Sequence, residues 1–308
     1  MKNPKICILY GGVGNERSVS LESGKAVVEA LSGEFNIIDH DLTEASLPGF
    51  VKGEDMLVFP VLHGRFGEDG RLQAQLEAAG VEYCGCDAGS SALCIDKVRT
   101  KEVASRAGAH VVESLAFEAS ELPSYATCVD ALGEKFVIKP SSEGSSVDLF
   151  MIDDEKDFVA ACKNIVEGSW MAEKRVIGLE TSIGILNGKA QGVVAIKPAG
   201  GVYDYAHKYT AGGSTYEFPA RISDVLTSEI QATTERIFEK CGCRDYARVD
   251  YILESGKKPV FLEINSLPGL TPTSLLPKSV SCNGFSFLDL LKAMLSPAIA
   301  RWSERYGN

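Results

Sequence analysis

Near the carboxyl end of the sequence stand two strand-like runs, RVDYILE at residues 248–254 and VFLEIN at residues 260–265. Apolar and polar side chains alternate along both runs, which is the period of a β-strand with one buried face. The segment SGKK at residues 255–258 between them is rich in turn-forming residues. Together the three segments predict an antiparallel hairpin.

The predicted hairpin places its polar side chains on one face. If residues 256–257 form a two-residue loop, Asp250 lies opposite Glu263 and Arg248 lies opposite Asn265, with all four on the same side. A pairing shifted by one residue would put the partners on different faces, so the prediction depends on the choice of loop. The opposite face is predicted to carry the apolar residues Val249, Tyr251, Leu253, Val260, Leu262 and Ile264.

Two carboxylates and an amide oxygen on one face favour a divalent metal. Mg²⁺ prefers hard oxygen ligands and bridges carboxylates to substrate phosphates, so Asp250, Glu263 and Asn265 are candidate ligands. Strand patterning alone leaves open a solvated face with a salt bridge to Arg248. The Pro-Gly turn at residues 268–269 favours the metal site, because a loop there can offer backbone N–H groups to an anion.

A candidate phosphate loop lies in the middle of the sequence. The apolar run FVIK at residues 136–139 leads through Pro140 into SSEGSSV at residues 141–147. A flexible Gly/Ser loop beside a lysine offers a triphosphate backbone N–H donors, hydroxyl donors and one positive charge. It is not a Walker loop, which requires Gly-x₄-Gly-Lys-Ser/Thr. On its own, the pattern also fits an ordinary surface turn.

The glycines after the first predicted strand raise a dinucleotide-binding alternative. GGVG at residues 11–14 precedes Glu16 and Arg17, and Asp39 ends the next predicted strand. Arg17 stands where that fingerprint needs its third glycine, and Glu16 puts a carboxylate where a pyrophosphate should bind. An acid at this position suits an ammonium group or helix capping better. A dehydrogenase is therefore the weaker interpretation.

The order of predicted elements indicates the fold class. Strands at 6–10, 35–39, 56–62 and 81–84 alternate with helices at 18–31 and 69–79, which predicts a parallel sheet covered on both faces. Later elements are helices at 96–107 and 224–241 and strands centred on 136–139, 179–186, 190–196, 247–254 and 259–265. The chain is predicted to combine α/β and α+β folds in three domains, residues 1–93, 94–178 and 179–308.

Composition narrows the class of partners. The 308 residues carry a net charge of −11, which disfavours nucleic acid and anionic membranes, since both need Lys and Arg to neutralise phosphates. No apolar run approaches the roughly 20 residues of a membrane span, and the first apolar run is too short for a signal peptide. Nine scattered cysteines include the pairs Cys84/Cys86 and Cys241/Cys243, whose spacing is too tight for zinc. We expect reduced thiols in a cytoplasmic protein.

Taken together, these motifs resemble the D-alanine–D-alanine ligases of the ATP-grasp superfamily, in the family's order and over essentially the whole chain. The matching positions are 11–12, 16–20, 62–64, 67–70, 96–97, 139–140, 143–147, 203–205, 208–209, 248–250, 263–265, 268–269 and 271. The resemblance implies an N-terminal substrate domain followed by a two-lobed ATP-grasp fold. It further implies a homodimer that joins two D-alanines through D-alanyl phosphate for peptidoglycan synthesis, using ATP and two Mg²⁺ ions, with Mn²⁺ as a substitute.

The resemblance also implies roles for individual residues. The metal ions would be bound by Asp250, Glu263 and Asn265. ATP would be bound by Lys97, Lys139, Glu143, Gly144, Ser146, Glu173, Lys174, Arg175, Val176 and Glu180. The amino-acid substrates would contact His63, Lys208, Ser274 and Leu275. Catalysis would depend on Glu16, Ser145, Tyr209, Arg248 and Gly269. Among these, Arg248 and the Gly269 N–H would stabilise a tetrahedral oxyanion.

The second substrate is the least constrained part of this interpretation. In the family that the sequence resembles, tyrosine at position 209 goes with an amine acceptor and phenylalanine with D-lactate, so Tyr209 favours D-alanine. Ligation of D-lactate or D-serine stays open as an alternative, as does a regulator that binds ATP without turnover.

Overall fold

Residues 4–144, 148–198, 213–256 and 258–307 are described by a computed structural model of the chain. Four predicted site residues, Ser145, Ser146, Lys208 and Tyr209, lie outside the described residues. Within those ranges, no helix is long and apolar enough to cross a membrane.

The first sheet is parallel, as predicted, with its strands in the order β2-β1-β3-β4. It consists of β1 (Lys5–Gly11), β2 (Ile37–Leu42), β3 (Met56–Pro60) and β4 (Glu82–Tyr83), with helices α1 (Arg17–Leu31) and α2 (Arg71–Ala78). β2 begins two residues later than predicted, because the Phe35 amide donates to the Leu31 carbonyl and so continues the end of α1.

The second sheet is antiparallel, in the order β5-β8-β6-β7. Its strands are β5 (Ser114–Glu118), β6 (Phe136–Pro140), β7 (Phe150–Ile152) and β8 (Ser169–Lys174), and its helices are α5 (Tyr125–Leu132) and α6 (Glu155–Cys162). Helices α3 (Ala88–Ile95) and α4 (Lys97–Arg106) connect it to the first sheet. Asp96 lies between these helices, and its side chain accepts a hydrogen bond from the Arg99 amide. This contact caps α4 and fixes the start of the helix at Lys97.

The third sheet is also antiparallel and has the order β11-β10-β9-β12-β13. Its strands are β9 (Leu179–Leu186), β10 (Lys189–Pro198), β11 (Ser214–Glu217), β12 (Tyr246–Leu253) and β13 (Val260–Asn265). Its helices are α7 (Asp224–Lys240), α8 (Leu275–Ser281) and α9 (Phe287–Tyr306). The predicted amphipathic helix is α7, whose Ile230 and Ile237 are fully buried against the sheet.

The predicted hairpin register is confirmed at the polar positions. Arg248 pairs with Asn265 and Asp250 pairs with Glu263 across β12 and β13. β9 lies on the other side of β12, so Arg248 and Asp250 belong to a strand that is held on both edges. Glu263 and Asn265 stand on β13 at the edge of the sheet, where pairing with β12 fixes their direction.

Beyond Asp250 the hairpin departs from the prediction. The register shifts there, so Tyr251 pairs with Phe261 and Leu262 becomes the extra residue of a β-bulge. Phe261 is fully buried in the core, whereas Leu262 is half-buried and lines a cavity. The prediction that Leu262 lies on the core face is therefore wrong, because the period of two holds only along an unbroken ladder. β12 ends at Leu253 and β13 begins at Val260, so the two strands are further apart in sequence than the two-residue loop assumed from the sequence allows.

Candidate active site

A cavity of about 400 Å³ lies between the second and third sheets. Its volume falls in the range of about 300–1,000 Å³ that is usual for small-molecule sites. Ten of the predicted site residues line it: Lys97, Lys139, Glu143, Glu173, Lys174, Arg175, Val176, Glu180, Asp250 and Glu263. The apolar part of its wall includes Leu149, Met151, Ile196, Ile252 and Leu262. The bulge therefore turns one apolar side chain, Leu262, toward the cavity.

Glu173, near the end of β8, holds two lysines at the wall of this cavity. Its buried side chain accepts a hydrogen bond from Lys101, and another from Lys139 at 2.6 Å between Nζ and Oε2. Lys139 pairs with Met171 across β6 and β8, which puts Lys139 and Glu173 on one face. Burial alone would raise the pKa of the Glu173 carboxyl, but the charges of Lys139 and Lys101 outweigh it and lower that pKa to about 2. Glu173 is thus an anion that orients Lys139.

Lys97 joins the phosphate-loop segment to the hairpin. Its Nζ donates to the Glu143 carbonyl oxygen at 2.5 Å and lies 3.3 Å from Oε2 of Glu263. The side chain is largely buried, so this ion pair is poorly screened by water. A predicted phosphate-binding lysine therefore meets a predicted metal-binding carboxylate directly.

Arg248 and Asp250 form a second ion pair on the same polar face. The Arg248 Nη2 lies 2.8 Å from Oδ2 of Asp250, and the Ser182 hydroxyl donates to the Asp250 Oδ1 at 2.6 Å. Ser182 stands directly opposite Asp250 on β9. These contacts hold the Asp250 carboxylate at the cavity with both oxygens engaged.

A second, smaller cavity adjoins the first. It shares Lys97, Glu143 and Glu263 with the larger cavity, and it adds Gly144 and Asn265. With this cavity, every predicted ATP- and metal-binding residue that the structure describes lines one of the two spaces. Asn265 lines the smaller cavity, whereas Asp250 lines the larger one.

The three predicted metal ligands fit a hard divalent cation. Asp250, Glu263 and Asn265 contribute oxygen atoms from paired positions of two neighbouring strands. Among the described residues, no group of three or more His, Cys, Asp or Glu side chains is placed to hold a metal. The site consists instead of two carboxylates and an amide, a donor set in keeping with the phosphates and water that Mg²⁺ usually retains as further ligands.

A carboxylate from the first domain lies against Gly144, which lines the smaller cavity. The buried Glu16 carboxylate lies against the backbone of Gly64 and Gly144, where added Cβ atoms would come within 2.8 and 3.2 Å of its Oε2. Gly64 has a φ of 70°, which other residues rarely adopt. The glycines thus permit a carboxylate from the N-terminal segment to reach the phosphate loop.

His63 and Glu68 lie beside Glu16. The His63 Nδ1 is 3.1 Å from the Leu267 carbonyl oxygen and 3.7 Å from Oε1 of Glu68. Its Nε2 is 3.4 Å from the Ser23 hydroxyl oxygen. Burial raises the pKa of the Glu68 carboxyl, and the charge of Glu16 adds to the effect. This group ties the first sheet to the loop that follows β13.

Gly269, Ser274 and Leu275 occupy that loop and the start of α8. The Ser274 hydroxyl accepts a hydrogen bond from the Thr271 amide at 3.1 Å. A Cβ at Gly269 would lie 3.1 Å from Oγ of Ser274, so the two residues are neighbours. Leu275 is the first residue of α8. The loop is held in place by the Ser23 hydroxyl, 3.4 Å from the Leu270 amide nitrogen.

Sequence reasoning gave no role to several residues that shape this site. Lys101 lies one turn after Lys97 on α4, a spacing that puts both on one helix face and could have indicated its position. Glu68 stands in a motif already used for the resemblance, but its burial beside His63 has no local signal. Ser182 reaches Asp250 only because β9 pairs with β12, which the local sequence does not indicate. The ion pair between Arg65 and Glu143, at 2.6 Å, joins loops 78 residues apart.

The comparisons with known proteins cover almost the whole chain. A family model described as D-ala D-ala ligase C-terminus matches residues 104–296, and one described as D-ala D-ala ligase N-terminus matches residues 41–86. The chain is 37% identical over 305 residues to the D-alanine–D-alanine ligase of Anaeromyxobacter sp. (strain Fw109-5), covering 96% of each. It is 37% identical over 308 residues to that of Methylacidiphilum infernorum (isolate V4), again covering 96% of each.

Solved structures of similar fold agree. The D-alanine–D-alanine ligase from Bacillus anthracis complexed with ATP has a TM-score of 0.85 and 26% identity, and the match covers 98% of this chain and 99% of that one. The VanG D-Ala:D-Ser ligase from Enterococcus faecalis has a TM-score of 0.85 and 30% identity, with 96% of this chain and 100% of that one covered. By its sequence, its fold and the side chains gathered around its cavities, the chain belongs to the D-alanine–D-alanine ligase family.

Proposed function

We propose that this protein joins two D-alanine molecules to D-alanyl-D-alanine at the expense of ATP, for peptidoglycan precursor synthesis. The contact between Lys97 and Glu263 supports this most directly. It lies where the larger cavity meets the smaller one, so phosphate-binding and metal-binding groups share the boundary between a nucleotide-sized space and a small one. We propose that the phosphoryl group is transferred at this boundary.

The larger cavity is proposed to bind ATP. Its basic end holds Lys97 and Lys139, which suit the phosphates, while its apolar wall suits the adenine ring. Residues 173–176, at the end of β8 and just beyond it, are proposed to contact the adenine, and Glu180 is proposed to offer its carboxylate to the ribose hydroxyls. The B. anthracis ligase that is complexed with ATP has the same fold, which supports this assignment.

Asp250, Glu263 and Asn265 are proposed to hold Mg²⁺. When bound, the ions neutralise phosphate charge. Asp250 is engaged by Arg248 and Ser182, so metal binding at Asp250 would compete with the Arg248 ion pair. A guanidinium released in this way becomes available to a developing oxyanion beside it.

The proposed chemistry has two steps. A carboxylate oxygen of the first D-alanine attacks the γ-phosphorus of ATP, which forms D-alanyl phosphate and releases ADP. The neutral amine of the second D-alanine then attacks the acyl carbon, and the tetrahedral species expels phosphate. Glu16 is proposed to receive the ammonium of the first D-alanine and His63 to lie toward its carboxyl group, while Arg248 and the Gly269 N–H are proposed to stabilise the oxyanion.

The second substrate has a specific competitor. The chain is 30% identical to a D-Ala:D-Ser ligase over 96% of its length, which favours D-serine as the alternative acceptor. Ser274 is proposed to bind the carboxylate of the acceptor, together with Lys208. Ser145 and Tyr209, proposed to help link the two substrate subsites, lie with Lys208 outside the described residues.

We also propose a cytoplasmic homodimer, a feature that rests on the family resemblance alone. The domain limits near residues 93 and 178 are supported by the sheets, because the strands of each sheet fall between those limits.

The test is phosphate release from ATP and Mg²⁺ with D-alanine, D-serine, D-lactate or L-alanine alone, and with each of the last three added to D-alanine. We expect release with D-alanine, accompanied by the dipeptide in a mass spectrum. Release with D-serine only when D-alanine is also present, with a mixed product, would favour the alternative. Bound ATP without turnover in every mixture would contradict an enzyme.

A further inference from the structure

Four cysteines gather where α3 meets the carboxyl end of α7, and the proposed reaction uses none of them. Cys94 belongs to α3, Cys241 follows the last residue of α7, and Cys243 and Cys86 lie in the adjoining loops. The Sγ atoms of Cys94 and Cys243 are 3.4 Å apart. All nine cysteines of the chain are described and free, so this contact is between two thiols rather than across a disulfide.

The group of Cys94, Cys241 and Cys243 is organised around one sulfur. The thiols of Cys243 and Cys94 donate hydrogen bonds to the Cys241 sulfur and lower the pKa of Cys241 to about 4. The same contacts raise the pKa of Cys243. The negative charge of the group is therefore held on the buried Cys241, and Cys243 has to give up its proton before its sulfur reacts.

Access to the group is uneven. Cys243 is half-buried, whereas Cys94 and Cys241 are each only 3% exposed. A reagent in solution consequently meets Cys243 first, and Cys94 is the buried sulfur at contact distance from it. This is the arrangement of an attacking thiol with a resolving partner.

Cys94 is also a wall of the substrate site. It lines the smaller cavity together with Lys97 and Glu263, and only two residues separate it from Lys97. A bond between Cys94 and Cys243 would draw the two sulfurs together and so shift the part of the cavity wall that Cys94 forms. Since Lys97 begins the next helix, its contact with Glu263 would move too.

We propose that Cys94 and Cys243 form a modification site at which a low-molecular-weight disulfide oxidises the pair and thereby slows ligation. Cys243, on losing its proton to solvent, attacks one sulfur of the reagent, RSSR, forming a Cys243–SR mixed disulfide and releasing RS⁻. Cys94, on losing its proton, attacks the Cys243 sulfur, forms the intramolecular disulfide and releases a second RS⁻. Two protein thiols are oxidised, one RSSR is reduced to two thiols, and the protons pass to the released thiolates and solvent.

Oxidation fits the group better than metal binding does. Within the described ranges, no set of three or more cysteine, histidine or acidic side chains is arranged to hold a metal ion. Two Cys-x-Cys pairs also lack the spacing of zinc sites. A thiol contact of 3.4 Å, in contrast, needs only a small approach to reach the roughly 2.05 Å of a disulfide bond.

The experiment treats the full-length protein with oxidised glutathione, blocks free thiols with N-ethylmaleimide and maps peptides by mass spectrometry. We expect a cross-linked peptide pair containing Cys94 and Cys243, reversed by dithiothreitol. Cys243→Ser should prevent it, whereas Cys162→Ser, which removes a half-buried cysteine outside the group, should not. Absence of the cross-link in protein that is otherwise glutathionylated, a link through Cys241, or one equivalent of tightly retained zinc would each overturn the proposal.

The consequence for turnover rests on the proposed function and is measured separately. Oxidised wild type and Cys162→Ser should lose roughly tenfold or more of their ligation rate, the scale of effect expected from a displaced catalytic group. Dithiothreitol should restore it, and Cys243→Ser should keep its rate throughout. A complete cross-link with an unchanged rate would overturn the effect on ligation. Because peptide mapping needs no turnover, a protein inactive with every acceptor would still test the disulfide.

Discussion

Arg248 and Asp250 bind each other through two contacts, Nε to Oδ1 at 3.0 Å and Nη2 to Oδ2 at 2.8 Å, on one face of β12. They stand two residues apart, which is the spacing that brings strand side chains together on the same face. The arginine proposed for the oxyanion and the carboxylate proposed for the metal thus neutralise each other in the protein alone. Ligand binding must exchange this contact for others.

Arg248→Met should lower kcat by about 10²–10³ while changing KM for ATP only slightly, because an oxyanion donor acts mainly in the transition state. Steady-state kinetics with ATP and D-alanine varied in turn measures both. Arg221→Met removes an exposed arginine that pairs with Glu217 and serves as the control. A loss seen mainly as weaker ATP binding would make Arg248 a phosphate ligand instead.

Glu263→Gln should abolish most turnover and raise the Mg²⁺ concentration needed for what remains. The substitution keeps the shape of the side chain but removes a charge that Mg²⁺ requires, and it also unpairs Lys97. Rates measured over a series of Mg²⁺ concentrations test this, with Glu304→Gln on the exposed side of α9 as the control. An unchanged Mg²⁺ dependence would contradict a metal site and favour the alternative, in which the polar face of the hairpin is only solvated.

The sequence specifies the polar face of the hairpin but not its bulge. The loop assumed at residues 256–257 paired Asp250 with Glu263, and the structure has this pair although the ladder nearer the turn is shifted by one residue. Leu262 turned to the cavity because the ladder breaks after Asp250, and no residue type there marks a bulge. The local pattern of polar and apolar residues does not indicate where an extra residue interrupts a strand.

Long-range contacts account for the rest of what sequence reasoning missed. Lys101 meets Glu173 only because α4, which packs against β13, brings it to β8, and Ser182 meets Asp250 only because β9 pairs with β12. Neither partner is near in sequence. Predictions carried by a motif, such as Lys139 and Glu143, reached the cavity, because a strand followed by a Gly/Ser loop specifies its own geometry.

Glu173 should make folding stability sensitive to acid. Its pKa in the folded protein, about 2, lies below the ordinary value of 4.5, so its contribution is complete above about pH 4.5 and is lost as the pH falls toward 2. A shift of this size corresponds to about 3 kcal/mol. The difference in free energy of unfolding between wild type and Glu173→Gln, measured by urea titration, should therefore shrink in that window. A difference that stays constant from neutral pH to the acid end would contradict the assigned ion pairs with Lys139 and Lys101.

Tyr209→Phe should gain D-alanyl-D-lactate synthesis, most clearly at lower pH. An amine acceptor must lose a proton before it attacks, whereas the hydroxyl of D-lactate needs no such prior deprotonation, and Tyr209 carries the polar group proposed to favour the amine. Loss of one buried polar contact should change the discrimination by roughly 1–3 kcal/mol. The product ratio with D-alanine and D-lactate in competition, followed from about pH 6 to about pH 9, measures it. An identical product ratio for wild type and Tyr209→Phe across that pH range would show that Tyr209 does not determine which acceptor is used.

The central claim is that an acyl phosphate forms between the two cavities, and the fate of oxygen in the substrate carboxylate tests it most directly. D-alanine labelled with ¹⁸O in its carboxyl group is incubated with ATP, Mg²⁺ and the protein, and the released phosphate is analysed by mass spectrometry. An acyl phosphate transfers one carboxyl oxygen to phosphorus, so each phosphate released with a dipeptide should carry one ¹⁸O. Dipeptide formed with unlabelled phosphate, or with the label in AMP, would contradict the account.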